Sequence, residues 1–169
     1  MVVLETERLS IAPAVLTDKE FFFALLNSPK WLQFIGDRGI KTVRDAENYI
    51  RNSLIKSYQE KGFGLYKLLL KPDKEPIGIC GFLKRDYLDA VDIGYAVLPA
   101  YEGKGYTQEA ATAMLDYGKT QLGLRTVYGI TTEANRASQR ILEKLGMQLI
   151  NKRMDNDQNT ELLIYSTQV

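Results

Sequence analysis

Two glycines separated by one lysine, Gly103 and Gly105, lie between a predicted strand and a predicted helix in the segment LPAYEGKGYTQEAATAML. Glycine has no Cβ atom, so it permits positive φ and lets a ligand approach the main chain closely. The first N–H groups of a helix have no acceptor within the helix, and the helix dipole favours negative charge there. With the cation of Lys104 nearby, the segment predicts a site for a phosphate or pyrophosphate. A glycine loop without a ligand is the alternative that these residues leave open.

The glycine spacing does not fit the two common nucleotide-binding motifs. The Walker A motif requires G-x-x-x-x-G-K-S/T, but Lys104 precedes a glycine here and no upstream glycine is correctly spaced. The Rossmann motif requires a third glycine at the position of Gln108, and it opens a parallel βαβ unit. A phosphate ligand must therefore be bound by a different kind of site.

The composition excludes several classes of catalysis. The 169 residues include one cysteine, Cys80, and no histidine. This removes Ser-His-Asp and Cys-His mechanisms and metal sites built from nitrogen and sulfur ligands, so no metal is expected. The formal charge is +1, and no basic run predicts contact with nucleic acid. No apolar segment of about 20 residues predicts a membrane helix. We expect one domain over residues 1–169, in the cytoplasm, without nucleic-acid or membrane partners.

The elements that must position these residues follow from the hydrophobic pattern. Capping boxes at Thr17–Glu20 and Thr42–Asp45 predict the starts of the first two helices. Three strands with short turns follow and predict an antiparallel meander that ends in VDIGYAVLP. The whole order is β-α-α-β-β-β-α-β-α-β-β. It predicts an α+β fold in which a mixed, mostly antiparallel sheet carries helices on both faces.

Two segments resemble the GCN5-related N-acetyltransferase (GNAT) superfamily. LPAYEGKGYTQEA is similar to its acyl-CoA pyrophosphate loop, R/Q-x-x-G-x-G/A, and NRASQRILEKLGM is similar to its segment N-x-x-S-x-R/K-V/I-x-E-K-x-G-F/M. The opening ETERLSIAP, with IGICGF and DIGYAVLP, resembles the ribosomal-protein N-terminal acetyltransferase (RimJ/RimL-type) branch. The chain departs from the pattern at Ala100, in the R/Q position, and at Glu102 and Gln108, where relatives usually carry Trp and Thr. The resemblance covers nearly the whole chain and implies a GNAT fold with acetyl-CoA as cosubstrate.

The resemblance also implies a CoA site. Backbone amides from Glu102 to Thr107 would receive the pyrophosphate, and the backbone of Val97 and Leu98 would pair with the pantetheine arm and hold the oxyanion. Asn135 would contact the pantetheine, and the hydroxyl of Ser138 would protonate the departing thiolate. The predicted cofactor-binding residues are Val97, Leu98, Glu102, Gly103, Lys104, Gly105, Tyr106, Thr107, Asn135, Ser138, Arg140 and Lys144. From the residues alone, helix capping by Asn135 and Ser138, and a solvated helix face for Arg140 and Lys144, are the alternatives.

A base and an acceptor complete the predicted reaction. Asp92 lies in an otherwise apolar strand, where a buried carboxylate could act as the base; a structural hydrogen bond is the alternative. Trp31, Phe34 and Tyr49 come from the region that borders the acceptor cleft in this superfamily. The resemblance implies direct transfer of an acetyl group to a primary amine, and a protein N-terminal α-amine is favoured because its pKa is only about 7.7 to 8.0. A small-molecule amine (polyamine, aminoglycoside or amino acid) and a non-catalytic acyl-CoA-binding module stay open. A monomer and a homodimer are both compatible with the sequence.

Overall fold

The computed structural model describes residues 1–168 and contains one eight-stranded sheet. The strands are β1 (Leu4–Glu5), β2 (Leu9–Ala12), β3 (Leu65–Leu70), β4 (Glu75–Leu83), β5 (Asp92–Val97), β6 (Tyr128–Thr132), β7 (Gln148–Asp155) and β8 (Thr160–Ser166). Their order across the sheet is β1-β2-β3-β4-β5-β6-β8-β7. Neighbouring strands are antiparallel except for β5 and β6, which are parallel. The predicted α+β fold with a mixed, mostly antiparallel sheet is confirmed.

Five α-helices connect the strands. They are α1 (Lys19–Leu26), α2 (Val43–Tyr49), α3 (Lys56–Lys61), α4 (Tyr106–Gln121) and α5 (Arg136–Lys144). A π-helical turn at Ile50–Ile55 joins α2 to α3, so these form one helical stretch, which ends at Gly62 with φ 76°. A second π-helical turn, Trp31–Ile35, follows α1. In the part of the chain that the structure describes, no helix is long and apolar enough to cross a membrane.

The two predicted capping boxes have different outcomes. At α2 the box is present: the Asp45 amide donates to Thr42 Oγ1, and the Thr42 amide donates to the Asp45 carboxylate, each at a distance of 3.0 Å. The box at Thr17 and Glu20 is wrong, because a 3-10 turn already includes Thr17 and Asp18 before α1 begins. The carboxylate of Asp18 accepts from an upstream main-chain amide at 2.8 Å. Asp18 therefore accepts from the amide three residues before it, which is the contact that Glu20 was expected to make with Thr17.

Helices cover both faces of the sheet, and each face has its own core. On one face Phe82 and other β-strand residues pack against α4 and α5 through Met114 and Leu142. On the other face Ile79 packs against α1 and α2 through residues such as Phe22. From Ile79 to Phe82 the side chains of β4 alternate between the two faces, as the pleat of a strand requires. The predicted placement of helices on both faces is confirmed.

The sheet opens between β5 and β6. Within residues 1–168, the register of this parallel pair comprises Asp92 with Tyr128 and Ile93 with Gly129. From there β6 continues along β8, while β5 continues along β4. Backbone groups on this side of the second half of β5 therefore have no strand partner, and buried groups of this kind need another partner.

Candidate active site

The glycine loop has the backbone conformation that its sequence predicts. After β5 the chain passes through a 3-10 turn, Pro99–Tyr101, and then through Gly103 and Gly105. Both glycines are left-handed, with φ values of 71° and 83°. Gly105 is the N-cap of α4. A residue with a side chain would be strained at either position, because its Cβ would approach the following carbonyl oxygen.

The Glu102 amide, predicted to receive the pyrophosphate, donates to the Pro99 carbonyl at 3.3 Å, so that part of the prediction is wrong, but the amides after it are free. None of the backbone N–H groups of residues 103–108 donates to an acceptor within the described chain. The first loop-to-helix bond runs from the Glu109 amide to the Gly105 carbonyl, at 3.0 Å. Six consecutive N–H groups at the positive end of a 16-residue helix are thus available to an anion. This arrangement fits a diphosphate.

Arg8, just before β2, braces the loop from the N-terminal segment. Its Nη1 donates to the Lys104 carbonyl at 3.0 Å, its Nε donates to Glu109 at 2.7 Å, and its guanidinium carbon lies 4.4 Å from the centroid of the Tyr106 ring. Glu109 also accepts from Thr6 Oγ1 at 2.6 Å. Burial alone would raise the pKa of Glu109, but the hydrogen bonds from Thr6 and Arg8 hold it below its ordinary value. A charged network thus joins β2 to the first turn of α4, and the sequence had not identified Arg8 as part of the site.

A cavity of about 310 Å³ extends from this loop through the opening between β5 and β6. Six of the predicted CoA-binding residues line it: Val97, Glu102, Gly103, Thr107, Asn135 and Ser138. The predicted base and acceptor-cleft residues line it too: Asp92, Trp31, Phe34 and Tyr49. The remaining predicted residues lie outside the lining: Leu98, Lys104, Gly105, Tyr106, Arg140 and Lys144. The last two are exposed on α5.

Val97 and Leu98 differ in what their backbone can still bind. The Leu98 amide donates to the Ile77 carbonyl at 2.8 Å, and the Leu98 carbonyl accepts from the Tyr101 amide at 2.9 Å. Both polar groups of Leu98 are therefore occupied by the protein, which argues against its predicted pairing with pantetheine. Backbone groups of successive strand residues point to opposite sides, so those of Val97 point away from β4 and toward the opening.

Ser138 lies beside a tyrosine that the sequence had not singled out. The amide of Ser138 donates to Asn135 Oδ1 at 3.2 Å, so Asn135 caps α5. The hydroxyl of Ser138 lies 2.8 Å from the hydroxyl of Tyr95 on β5. Burial raises the pKa of Tyr95, which keeps its proton on the ring oxygen. The two hydroxyls form a proton-donating pair in the wall of the cavity, and each is contributed by a different side of the opening.

Asp92 lies at the other end of the cavity, at the start of β5. Only 2% of its surface is exposed, and its carboxylate accepts from Arg85 Nε at 3.0 Å. Burial raises the pKa of Asp92, and the attraction of the Arg85 guanidinium only partly offsets this effect. The predicted structural hydrogen bond is therefore present, together with a shift that suits a proton acceptor.

Aromatic side chains form the wall on the α1 and α2 side. Trp31 begins the π-helical turn after α1 and is 4% exposed, and its indole N–H has no acceptor among residues 1–168. Burial raises the pKa of the Tyr49 hydroxyl. Lys30, next to Trp31, forms an ion pair with Glu102 at 3.1 Å and so joins this wall to the glycine loop. The negative charge of Glu102 is balanced before any phosphate binds.

Comparisons with known proteins agree with this geometry. A family model described as "Acetyltransferase (GNAT) domain" matches residues 8–148. The uncharacterized N-acetyltransferase YoaA of Bacillus subtilis (strain 168) is 29% identical over 148 residues, which cover 86% of this chain and 82% of that protein. The crystal structure of an acetyltransferase from Agrobacterium tumefaciens str. C58 superimposes with a TM-score of 0.80 at 25% identity, covering 96% and 92% of the two chains. RimL, a ribosomal L7/L12 alpha-N-protein acetyltransferase solved with coenzyme A, shares the fold with a TM-score of 0.82 at 16% identity, covering 98% and 97%.

Proposed function

The chain belongs to the GNAT acetyltransferase family, and from that premise we propose that it transfers an acetyl group from acetyl-CoA directly to a primary α-amine. The observation that carries the proposal is the run of free amides at residues 103–108, placed beside a cavity that crosses the sheet. A protein N-terminal amine of the RimJ/RimL type remains the favoured acceptor.

Acetyl-CoA is bound mainly by groups of the protein main chain. The amides of residues 103–108 receive the diphosphate of acetyl-CoA, and the left-handed Gly103 and Gly105 allow the close approach. The backbone of Val97 pairs with the pantetheine arm along the open side of β5, and its N–H is the donor that remains for the developing oxyanion. Leu98 takes no part, because its amide and carbonyl already have partners.

The proton needed by the leaving thiolate comes from Ser138. A thiol with a pKa near about 8.5 needs little assistance as a leaving group. The Ser138 hydroxyl gives its proton to the departing sulfur and takes one from Tyr95, whose hydroxyl lies 2.8 Å away. Tyr95 is protonated at neutral pH, since the pKa of a phenol is about 10 and burial raises it further. After CoA leaves, Tyr95 regains from water the proton that it passed on.

The amine must be neutral when it attacks. At pH 7, deprotonating a lysine amine costs about 4 to 5 kcal/mol, whereas an α-amine costs about 1 kcal/mol. Asp92 then takes the proton that the amine loses on attack, either directly or through water. Its raised pKa suits this role, and Arg85 stabilises the carboxylate at the start of the reaction.

The charge of the cavity disfavours polycationic acceptors. The two acids in its lining, Asp92 and Glu102, are both ion-paired, with Arg85 at 3.0 Å and with Lys30 at 3.1 Å. A polyamine or an aminoglycoside would need unpaired carboxylates, and the described lining offers none. An α-amine with a single positive charge has no such requirement.

Thermal denaturation with acetyl-CoA tests the binding site, and Gly123 provides a matched control. Gly103 and Gly123 are both left-handed, with φ 71° and 67°, and neither has a neighbouring atom within 4 Å of an added Cβ. We expect acetyl-CoA to raise the melting temperature of the wild type and of Gly123→Asp, but not that of Gly103→Asp, whose carboxylate repels the diphosphate. A wild type that shows no shift at millimolar acetyl-CoA would contradict the proposal. CoA release with a panel of amines then separates an enzyme from a module that only binds acyl-CoA.

A further inference from the structure

The acceptor half of the cavity contains one cation without a partner. We define this half as the part lined by Trp31, Phe34, Arg38, Tyr49, Arg85 and Asp92. Five charged side chains line the whole cavity, and four of them form the pairs Arg85–Asp92 and Lys30–Glu102. Arg38 forms no ion pair with any described residue. Among the described residues, the cavity lining therefore carries one unpaired positive charge, that of Arg38.

Arg38 is presented by an ordered turn. The neighbouring acid, Asp37, is engaged with the main chain, because its Oδ1 accepts from the Gly39 amide at 2.7 Å. Gly39 is left-handed, with φ 71°. The next residue, Ile40, is buried, and its carbonyl accepts from Asn27 Nδ2 at 2.9 Å. These contacts order the backbone on both sides of Arg38, and the Asp37 carboxylate next to it is engaged with the Gly39 amide.

The walls around this cation are apolar and aromatic. Trp31, Phe34 and Tyr49 line the acceptor half together with aliphatic residues of β3 and β4. The indole N–H of Trp31 is a buried donor without an acceptor in residues 1–168, and a buried donor of this kind is normally hydrogen-bonded. This half of the cavity combines apolar walls, the Arg85–Asp92 pair and the guanidinium of the exposed Arg38. It matches a ligand that combines an apolar body with one anionic group.

We infer that the acceptor is an α-amine that also carries a carboxylate and an apolar side chain, and that Arg38 is the specificity-determining residue that binds this carboxylate. A planar guanidinium can bind a carboxylate with two parallel hydrogen bonds, which a polyamine or an amide cannot exploit. The inference rests on the proposed function and adds the chemical class of its acceptor. A free amino acid and a peptide with an acidic side chain near its N-terminus both supply this chemistry.

Paired acceptors with and without the carboxylate test the inference. Each kcat/KM is expressed per neutral amine, because the α-amine of a free amino acid has a higher pKa than that of its amide. The first pair is L-phenylalanine and L-phenylalaninamide; the second is a peptide amide with the N-terminal sequence Asp-Phe-Ala and its Asn-Phe-Ala analogue. With acetyl-CoA saturating, CoA release should give a kcat/KM about tenfold or more higher for the carboxylate member of at least one pair. The pair that shows the difference identifies the source of the carboxylate.

The variant Arg38→Gln should remove that preference. It should lower kcat/KM for the preferred carboxylate acceptor by about tenfold and for its amide analogue by less than about twofold. Lys41→Gln is the matched control, because Lys41 carries the same charge in the same loop but does not line the cavity. It should match the wild type with both acceptors.

The outcomes separate this inference from the proposed function. Equal kcat/KM values within both pairs, or an equal loss for both members in Arg38→Gln, overturn the inference while acetyl transfer stands. Failure of every amine to release CoA overturns both, even where acetyl-CoA still raises the melting temperature.

Discussion

Replacing Arg8 by glutamine should weaken the binding of acetyl-CoA and leave the chemical step unchanged. Arg8 does not line the cavity, but it contacts the carbonyl of Lys104 and the ring of Tyr106 in the loop that bears the free amides. An exposed hydrogen bond contributes about 0.5 to 1.5 kcal/mol and an exposed cation–π contact about 0.5 to 1 kcal/mol. The ion pair with Glu109 adds little, because 41% of the Arg8 side chain is exposed. Glu109 also keeps its bonds to Thr6 Oγ1 and to the backbone amide of residue 8.

These contacts order the loop before the ligand arrives, so their loss appears in affinity. A loss of about 1.4 kcal/mol corresponds to a tenfold change in a binding constant. We therefore expect the KM for acetyl-CoA to rise about tenfold in Arg8→Gln, with kcat at saturating acetyl-CoA within about twofold of the wild type. Arg8→Lys keeps the positive charge but not the forked geometry, so its KM should be intermediate.

Lys71→Gln is the control for a general loosening of the N-terminal segment. Lys71 Nζ donates to the Thr6 carbonyl at 2.8 Å and pairs with Glu5 at 3.4 Å, but it does not contact the glycine loop. It should lower the melting temperature without raising the KM for acetyl-CoA. If Arg8→Gln behaves in the same way, or if its kcat falls at saturating acetyl-CoA, the loop-ordering argument is refuted.

Two further predictions concern the transfer of protons. Ser138→Ala and Tyr95→Phe should each lower kcat by about 10- to 100-fold. The double variant should lose little more, because the two hydroxyls act as one donor. A double variant whose loss in steady-state kcat equals the product of the two single losses would contradict the pairing. Burial raises the pKa of Asp92. If Asp92 is the base, the rate should rise with pH as its carboxyl loses its proton, and Asp92→Asn should remove this rise from the pH–rate profile. Because the pKa of Asp92 is higher in the folded protein than in the unfolded chain, the folded protein binds the proton more tightly. The free energy of unfolding should therefore fall as pH rises from the pKa of Asp92 in the unfolded chain to its pKa in the folded protein. Asp92→Asn should lack this pH dependence. Full activity of Asp92→Asn between pH 6 and pH 9 would show that Asp92 is not the base.

Local signals predicted the parts of the fold that local chemistry determines. Thr42 and Asp45 cap the second helix through side chains three residues apart, so this box depends only on neighbours in the sequence. The prediction at Thr17 failed for a local reason too, since Asp18 accepts from the Val15 amide and the turn begins before Thr17. The left-handed conformations of Gly103 and Gly105 were predictable because glycine is the residue that most readily adopts positive φ in the tight turn between a strand and a helix.

The parts of the site that depend on register could not be read from the sequence. Leu98 and Val97 are adjacent in the sequence. Only the pairing of β5 with β4 determines that the Leu98 amide donates to Ile77, while the backbone groups of Val97 point toward the opening. Tyr95 looked like an ordinary strand residue. Its partner, Ser138, is 43 residues away on a helix of the same face, and no spacing rule connects them.

The pair formed by Tyr95 and Ser138 depends on a glycine that has no contact with any ligand site. A Cβ atom added at Gly129 on β6 would lie 2.4 Å from Leu142 on α5, closer than such atoms can approach. The absence of a side chain at Gly129 thus lets the Leu142 side chain of α5 lie directly on β6, at the point where β6 leaves β5. Were α5 displaced outward by a methyl group there, Ser138 would move with it, while Tyr95 would stay on β5. The 2.8 Å separation of the two hydroxyls is therefore set by close packing across an opening in the sheet, and the same opening provides the path along which the pantetheine arm would reach them.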